Sequence, residues 1–194
     1  MIPREFFERT PIACARGLIG AELCWGDCSG IIVETEAYDD VGDEAAHTFF
    51  RPSARAFVER YGPGTAYVYL NYGMHWLLNV LVKGGRRRGF VLIRALEPKA
   101  GLEVMIERRK IAEIRKLCSG PGRLTQALGI DGALHGKDLC TDPSRSFQLR
   151  RGRPRIVADG RIGISVATHL PWRFTLEGSR YISSRVRLIT GAEK

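Results

Sequence analysis

Glu34 and Glu36 stand one residue apart in the run Gly30–Tyr38, whose other members include Ile31, Ile32, Val33, Thr35 and Ala37. So many β-branched residues predict a strand, and a period of two places Ile32, Glu34, Glu36 and Tyr38 on one face. An ionised carboxylate among apolar neighbours is costly to bury unless another group satisfies it or a reaction uses it. Two roles fit: a general base beside an aromatic surface, or membership of a hydrogen-bond network. On these residues alone the network is the simpler reading.

The strand runs into Asp39, Asp40, Asp43 and Glu44, followed by His47. Carboxylates and a histidine can hold Mg²⁺ or Mn²⁺ for phosphodiester cleavage, but this spacing matches no metal cage, and a solvated acidic loop is the simpler reading. Such a loop would also keep phosphates away from a pocket meant for a neutral or cationic base. Cys24 and Cys28 resemble half of a zinc site, but no second pair follows, and the five cysteines read as reduced thiols. No metal or cofactor is expected.

Further along, Tyr67, Tyr69 and Tyr72 precede His75 and Trp76. Strand-like runs at 67–70 and 76–82 predict a hairpin with Tyr72 near its tip. A ring at a turn either packs back on its own strands or enters a groove and fills the space left by an extruded nucleotide. Tyr69 lies on the opposite alternation, so one ring can line a pocket while the other reaches outward.

The elements that must position these groups are short. Helical turns are expected over Glu5–Ile19, broken near Pro11, and loop, with at most one helical turn, from Asp39 to Gly64. Phe90–Leu96 predicts a strand stopped by Pro98. Leu102, Met105, Ile106, Ile114 and Leu117 suit one helix face opposite Arg108, Arg109, Lys110, Arg115 and Lys116. A second helix is expected from Ser119-Gly120-Pro121 to Gly129, then strands at Ile162–Val166 and Trp172–Ser183. The class is α+β: one domain over 1–194, with a curved, largely antiparallel sheet flanked by helices and a protruding hairpin.

Charge is unevenly placed. Residues 1–50 carry 3 basic and 10 acidic side chains, and residues 51–194 carry 27 and 11. The second part has the electrostatic footprint of a surface that lies along phosphates. Six of the 30 basic residues are lysine, so arginine, with its two-pronged phosphate contacts, dominates. No apolar run reaches the roughly 20 residues of a membrane span, and the charged start is unlike a signal peptide. A soluble, cytoplasmic monomer, nucleoid-associated in a bacterium, is expected.

The blocks Ile32-Val33-Glu34-Thr35-Glu36-Ala37-Tyr38, Asp43-Glu44-Ala45-Ala46-His47, Pro63-Gly64-Thr65 with Tyr67-Val68-Tyr69, and Tyr72-Gly73-Met74 occur in order. They are followed by Asn79, Leu92-Ile93-Arg94-Ala95-Leu96-Glu97-Pro98, Cys118-Ser119-Gly120-Pro121 with Leu124, and Gln126-Ala127-Leu128. In these blocks the chain resembles, over nearly its full length, the alkyladenine (3-methyladenine) DNA glycosylases of the non-helix-hairpin-helix type found in bacteria and animals. The resemblance implies a monofunctional glycosylase acting on double-stranded DNA. Glu36 would be the general base, and Arg94 and the backbone carbonyl of Ile162 would help hold the attacking water. It also implies that Tyr38, His47 and Tyr69 stack around the flipped base, that Asn79 obstructs the 2-amino group of guanine, that Tyr72 intercalates and that Arg123 contacts a phosphate. The stretch Arg55-Ala56 and Glu59-Arg60-Tyr61 departs from the family's pattern.

Two other classes stand beside this one: a metal-dependent nuclease built on Glu34, Glu36, Asp39 and Asp43, and a non-catalytic nucleic-acid-binding module. Ser119–Thr125 faintly resembles the hairpin of helix-hairpin-helix glycosylases, which would explain neither Glu36 nor the tyrosine hairpin.

Overall fold

The computed structural model describes residues 1–150 and 152–186. A 3₁₀ turn (Arg4–Phe7) leads into α1 (Pro11–Leu18), which Thr10 caps by accepting from the Ala13 N–H. Next come β1 (Glu22–Trp25), β2 (Cys28–Asp39), α2 (His47–Phe50), α3 (Pro52–Arg60), β3 (Ala66–Asn71), β4 (His75–Gly84) and β5 (Arg87–Ala100). The chain continues through α4 (Leu102–Arg109), α5 (Ile114–Leu117), α6 (Pro121–Leu128), a 3₁₀ turn (Gly132–Leu134), β6 (Arg145–Gln148), β7 (Ile156–Asp159) and β8 (Arg173–Leu176). This is an α+β fold around one antiparallel sheet.

The sheet runs β3-β4-β5-β2-β1-β6, and β8 joins β2 and β7. One edge of β2 pairs with β5; the other is shared, residues 28–31 with β1 and residues 34–36 with β8. Alternation divides β3, β4 and the first half of β5 into two faces. Ala66, Val68, Leu78, Val80, Val91 and Ile93 face the main core, where α1 and α6 pack. Their neighbours Tyr67, Leu81 and Phe90 face the other way, against Ala54, Phe57 and Val58 of α3.

Several expectations need correction. Ile32 does not share a face with Glu34 and Glu36: the β2–β5 register shifts between Ile32 and Glu34, the extra residue Val33 reverses the alternation, and Ile32 enters the main core. Pro98 does not stop its strand. It pairs with Gly30 beside another register shift, where a residue without an N–H is tolerated. The expected loop at 51–64 contains the nine-residue α3, with Pro52 in its first turn and Ala54, Phe57 and Val58 buried. The single helix expected after Leu102 is two, because Lys110 adopts left-handed φ (53°) and closes α4; Ile114 is consequently exposed. Ile162–Val166 is irregular rather than a strand, and strand structure in 172–183 is confined to β8.

Candidate active site

Pairing across the sheet places Glu36 opposite Leu92, Leu92 opposite Asn79 and Asn79 opposite Tyr67. These residues therefore form one row on the face away from α1, with Tyr38 opposite Phe90 in the adjacent row. Arg94 reaches the same face by a different device. Glu34 pairs with Ala95 and Thr35 with Ile93, which leaves Arg94 as the extra residue of a bulge in β5. A bulge re-aims a side chain without ending the strand, and here it directs the guanidinium onto both glutamates.

Glu36 is completely buried, yet its carboxylate is well satisfied. Oε2 accepts from the Tyr38 hydroxyl at 2.8 Å and from Arg94 Nη1 at 3.2 Å, and Oε1 accepts the Ile162 N–H at 2.7 Å. Burial opposes the Arg94 charge, but Glu36 and Glu34 outweigh it and hold the guanidinium above its ordinary range. Burial, then the neighbouring Glu36, pushes the Tyr38 phenol well up, so Tyr38 remains a donor.

Glu34 is equally buried but differently employed. Its Oε1 accepts from Arg94 Nε (3.1 Å), Arg173 Nε (2.7 Å) and the Ser183 hydroxyl (2.8 Å), and its Oε2 accepts the Ser183 N–H (2.6 Å). Arg173 also binds Asp159 at 3.0 Å. Glu34 is thus the network carboxylate, holding Arg94 from behind while Arg94 holds Glu36. Neither Arg173 nor Ser183 is marked in the sequence.

Tyr38, Arg94 and Ile162 all line a cavity of about 500 Å³, and Glu36 lies just behind them. That volume falls within the roughly 300–1,000 Å³ of small-molecule sites. The sheet side adds Tyr67, Tyr69, Asn79 and Leu92, and the facing loop adds Gly163, Ile164 and Val166. All five residues 162–166, Ser165 included, line the cavity, so this irregular stretch forms a cavity wall instead of a strand. His47 packs 4.5 Å from the Tyr69 ring, and its Nδ1 lies 3.1 Å from the Tyr67 hydroxyl. Burial, reinforced by Arg51, lowers His47 to about 4, so the ring is uncharged at neutral pH. Burial, then Tyr67, raises Tyr69 to about 12. Asn79 donates its side-chain amide to the Tyr67 carbonyl at 3.2 Å. Phe50, Phe90 and Arg51 also line the cavity, the Arg51 guanidinium 5.7 Å from the Tyr69 ring centre; sequence reasoning identified none of the three.

The β3–β4 hairpin ends in Tyr72-Gly73-Met74. Tyr72 (φ 50°) and Gly73 (φ 67°) are both left-handed, and Tyr72 is 82% exposed. Gly73 adopts this geometry at little cost; a tyrosine does not. Arg123, in the first turn of α6, is exposed and folds back onto the Ser119 carbonyl (3.3 Å) and hydroxyl (3.1 Å).

The acidic loop is not a free negative patch. Asp39 binds Arg87 at 3.0 Å, Asp40 binds Arg88 at 3.2 Å, and Asp43 binds Arg161 at 2.6 Å. With Glu34 and Glu36 held by Arg94, each carboxylate of the nuclease reading faces an arginine. Among the described residues no three His, Cys, Asp or Glu side chains form a metal-binding group.

A buried, arginine-held glutamate behind an aromatic cavity suits a hydrolase. Comparison with known proteins supplies the family. The sequence model for methylpurine-DNA glycosylase matches residues 5–180. A Rhodopseudomonas palustris protein named "Putative 3-methyladenine DNA glycosylase" is 48% identical over 183 residues, 94% of this chain and 88% of its own. Proteins of the same name from Rhizobium meliloti (44% over 181 residues; 93% and 95%) and Nitrosospira multiformis (44% over 187 residues; 95% and 95%) are similarly close. The chain belongs to the methylpurine-DNA glycosylase family. No helix among the described residues is long and apolar enough to cross a membrane.

Proposed function

We propose that the protein is a monofunctional glycosylase that flips a damaged purine, 3-methyladenine foremost, into the aromatic cavity and hydrolyses its bond to the sugar. The observation that carries this reading is the placement of Glu36: its hydrogen-bond partners Tyr38, Arg94 and Ile162 all lie on the wall of that cavity.

Breaking an N-glycosidic bond leaves the bonding electron pair on the base and builds oxocarbenium character at C1′. The Glu36 carboxylate stabilises that charge and accepts a proton from the water whose oxygen bonds to C1′. Arg94 and the Ile162 carbonyl help hold this water. N3-methylated adenine carries a positive charge before cleavage and leaves neutral, so it needs no proton from the protein. Tyr38, His47 and Tyr69 offer ring faces to the cation, an attraction of about 0.5–2 kcal/mol in typical settings. An uncharged His47 does not oppose it. Asn79, fixed by Tyr67, stands where it obstructs the 2-amino group of guanine. Hypoxanthine and ethenoadenine are further candidate substrates. Tyr72 fills the space vacated in the duplex, a use for a strained, exposed ring, and Arg123 contacts a backbone phosphate.

The test is a labelled duplex carrying one alkylated adenine or one hypoxanthine, incubated in EDTA and resolved on denaturing gels with and without hot alkali. Strand breakage that appears only after alkali is expected. Breakage without alkali that requires magnesium would indicate a nuclease, and an intact strand for every lesion would leave a binding module.

A further inference from the structure

Arg161 and Asp43 form an ion pair that the proposed reaction does not use. Both side chains are 0% exposed, and neither lines the cavity. The contact is two-pronged: Nη1 meets Oδ2 at 2.6 Å and Nη2 meets Oδ1 at 2.7 Å. Nη1 also donates to the Ala37 carbonyl at 2.9 Å, and the guanidinium lies 4.6 Å from the centre of the Tyr38 ring. Asp43 in turn accepts the N–H groups of Asp39 (3.2 Å) and Ala45 (3.1 Å). The Arg161 Nε is buried without a hydrogen-bond partner among the described residues. A buried pair of this kind is a weak source of net stability, so its geometry calls for another explanation.

That explanation lies one residue further on. Ile162 donates its N–H to Glu36, yet it belongs to no strand, and no ladder fixes its backbone. The side chain of Arg161 supplies the missing constraint. It fastens the start of the 160–172 loop to Ala37, the strand residue next to Glu36, and to Asp43, in the loop that leads into α2 and its first residue, His47. We propose that Asp43 and Arg161 are positioning residues: together they hold the Ile162 N–H on the Glu36 carboxylate and the Tyr38 ring beside it, fixing the general base relative to the cavity. This inference rests on the reading of Glu36 as the base, and it adds that two residues contacting neither water nor base set its orientation.

The test compares Arg161→Lys, which keeps the charge but loses the two-pronged grip, with Asp43→Asn, which keeps the shape but loses the charge. Thermal melting establishes that each variant folds. Single-turnover excision is then measured against affinity for a duplex carrying an uncleavable lesion analogue. In each variant the rate is expected to fall by up to about 100-fold, the scale of a small misplacement at a reacting centre, with affinity unchanged. Arg161→Lys should recover part of the rate lost in Arg161→Ala. Rate and affinity falling together, wild-type rates, or failure of both variants to fold would each overturn the positioning role. Failure of the Glu36 reading looks different, because Glu36→Gln would then excise normally.

Discussion

His47 stands on the aromatic wall with its charge suppressed, and this has a measurable consequence. Its folded value, about 4, lies below that of an unfolded histidine, so the unfolded chain takes up the extra proton first as pH falls. The stability His47 contributes is complete above about pH 6.5 and is lost as the pH drops toward 4. Between these limits the denaturation midpoint should fall more steeply in the wild type than in His47→Gln; parallel curves would show that His47 does not govern the window. Glu36, Tyr38, Tyr69 and His47 were readable as candidates because each occurs within a short, distinctive run. Arg161 and Arg173 were not: their partners Asp43 and Glu34 lie more than a hundred residues earlier, and a lone arginine carries no signal in an arginine-rich chain. The Ile162 N–H is beyond the reach of any sequence argument, because every residue except proline has one.

At the scale of elements, the tyrosine hairpin was legible because two strand-like runs on either side of a Gly-containing turn are local signals. Its cost is local too. A tyrosine held at left-handed φ is strained, so Tyr72→Gly is expected to leave folding stability equal or raised by up to about 1 kcal/mol, while excision of well-stacked lesions falls. Urea denaturation and single-turnover kinetics on the same preparations check both halves; a destabilised variant would mean that Tyr72 packs back onto its strands. Other elements were hidden by physics that pattern reading does not weigh. The helical spacing of Ala54, Phe57 and Val58 is diluted by the charged residues around it, and burial against Tyr67 and Phe90 is what makes it a helix. Bulges in β2 and β5 arise from two strands fitting each other, so the sequence of neither shows them.

Over the whole molecule, the split of charge along the chain is not a split in space. Five of the ten acidic residues in the first 50, Glu34, Glu36, Asp39, Asp40 and Asp43, pair with Arg87, Arg88, Arg94, Arg161 and Arg173 from the rest, so much of the acidic loop is part of the scaffold. The remaining excess of positive charge is available to DNA. Duplex affinity should therefore weaken steeply with salt, and Arg123→Ala should lower the magnitude of the log–log slope by about 1, the effect of one lost phosphate contact. An unchanged slope would place Arg123 off the DNA. The role of Glu36 is decided by Glu36→Gln, in which single-turnover release of the damaged base is compared with binding of the same duplex. A loss of about 10²–10⁴ in rate, the usual worth of a general base, with binding retained, is the expected result. Release at the wild-type rate would show that Glu36 is not the general base.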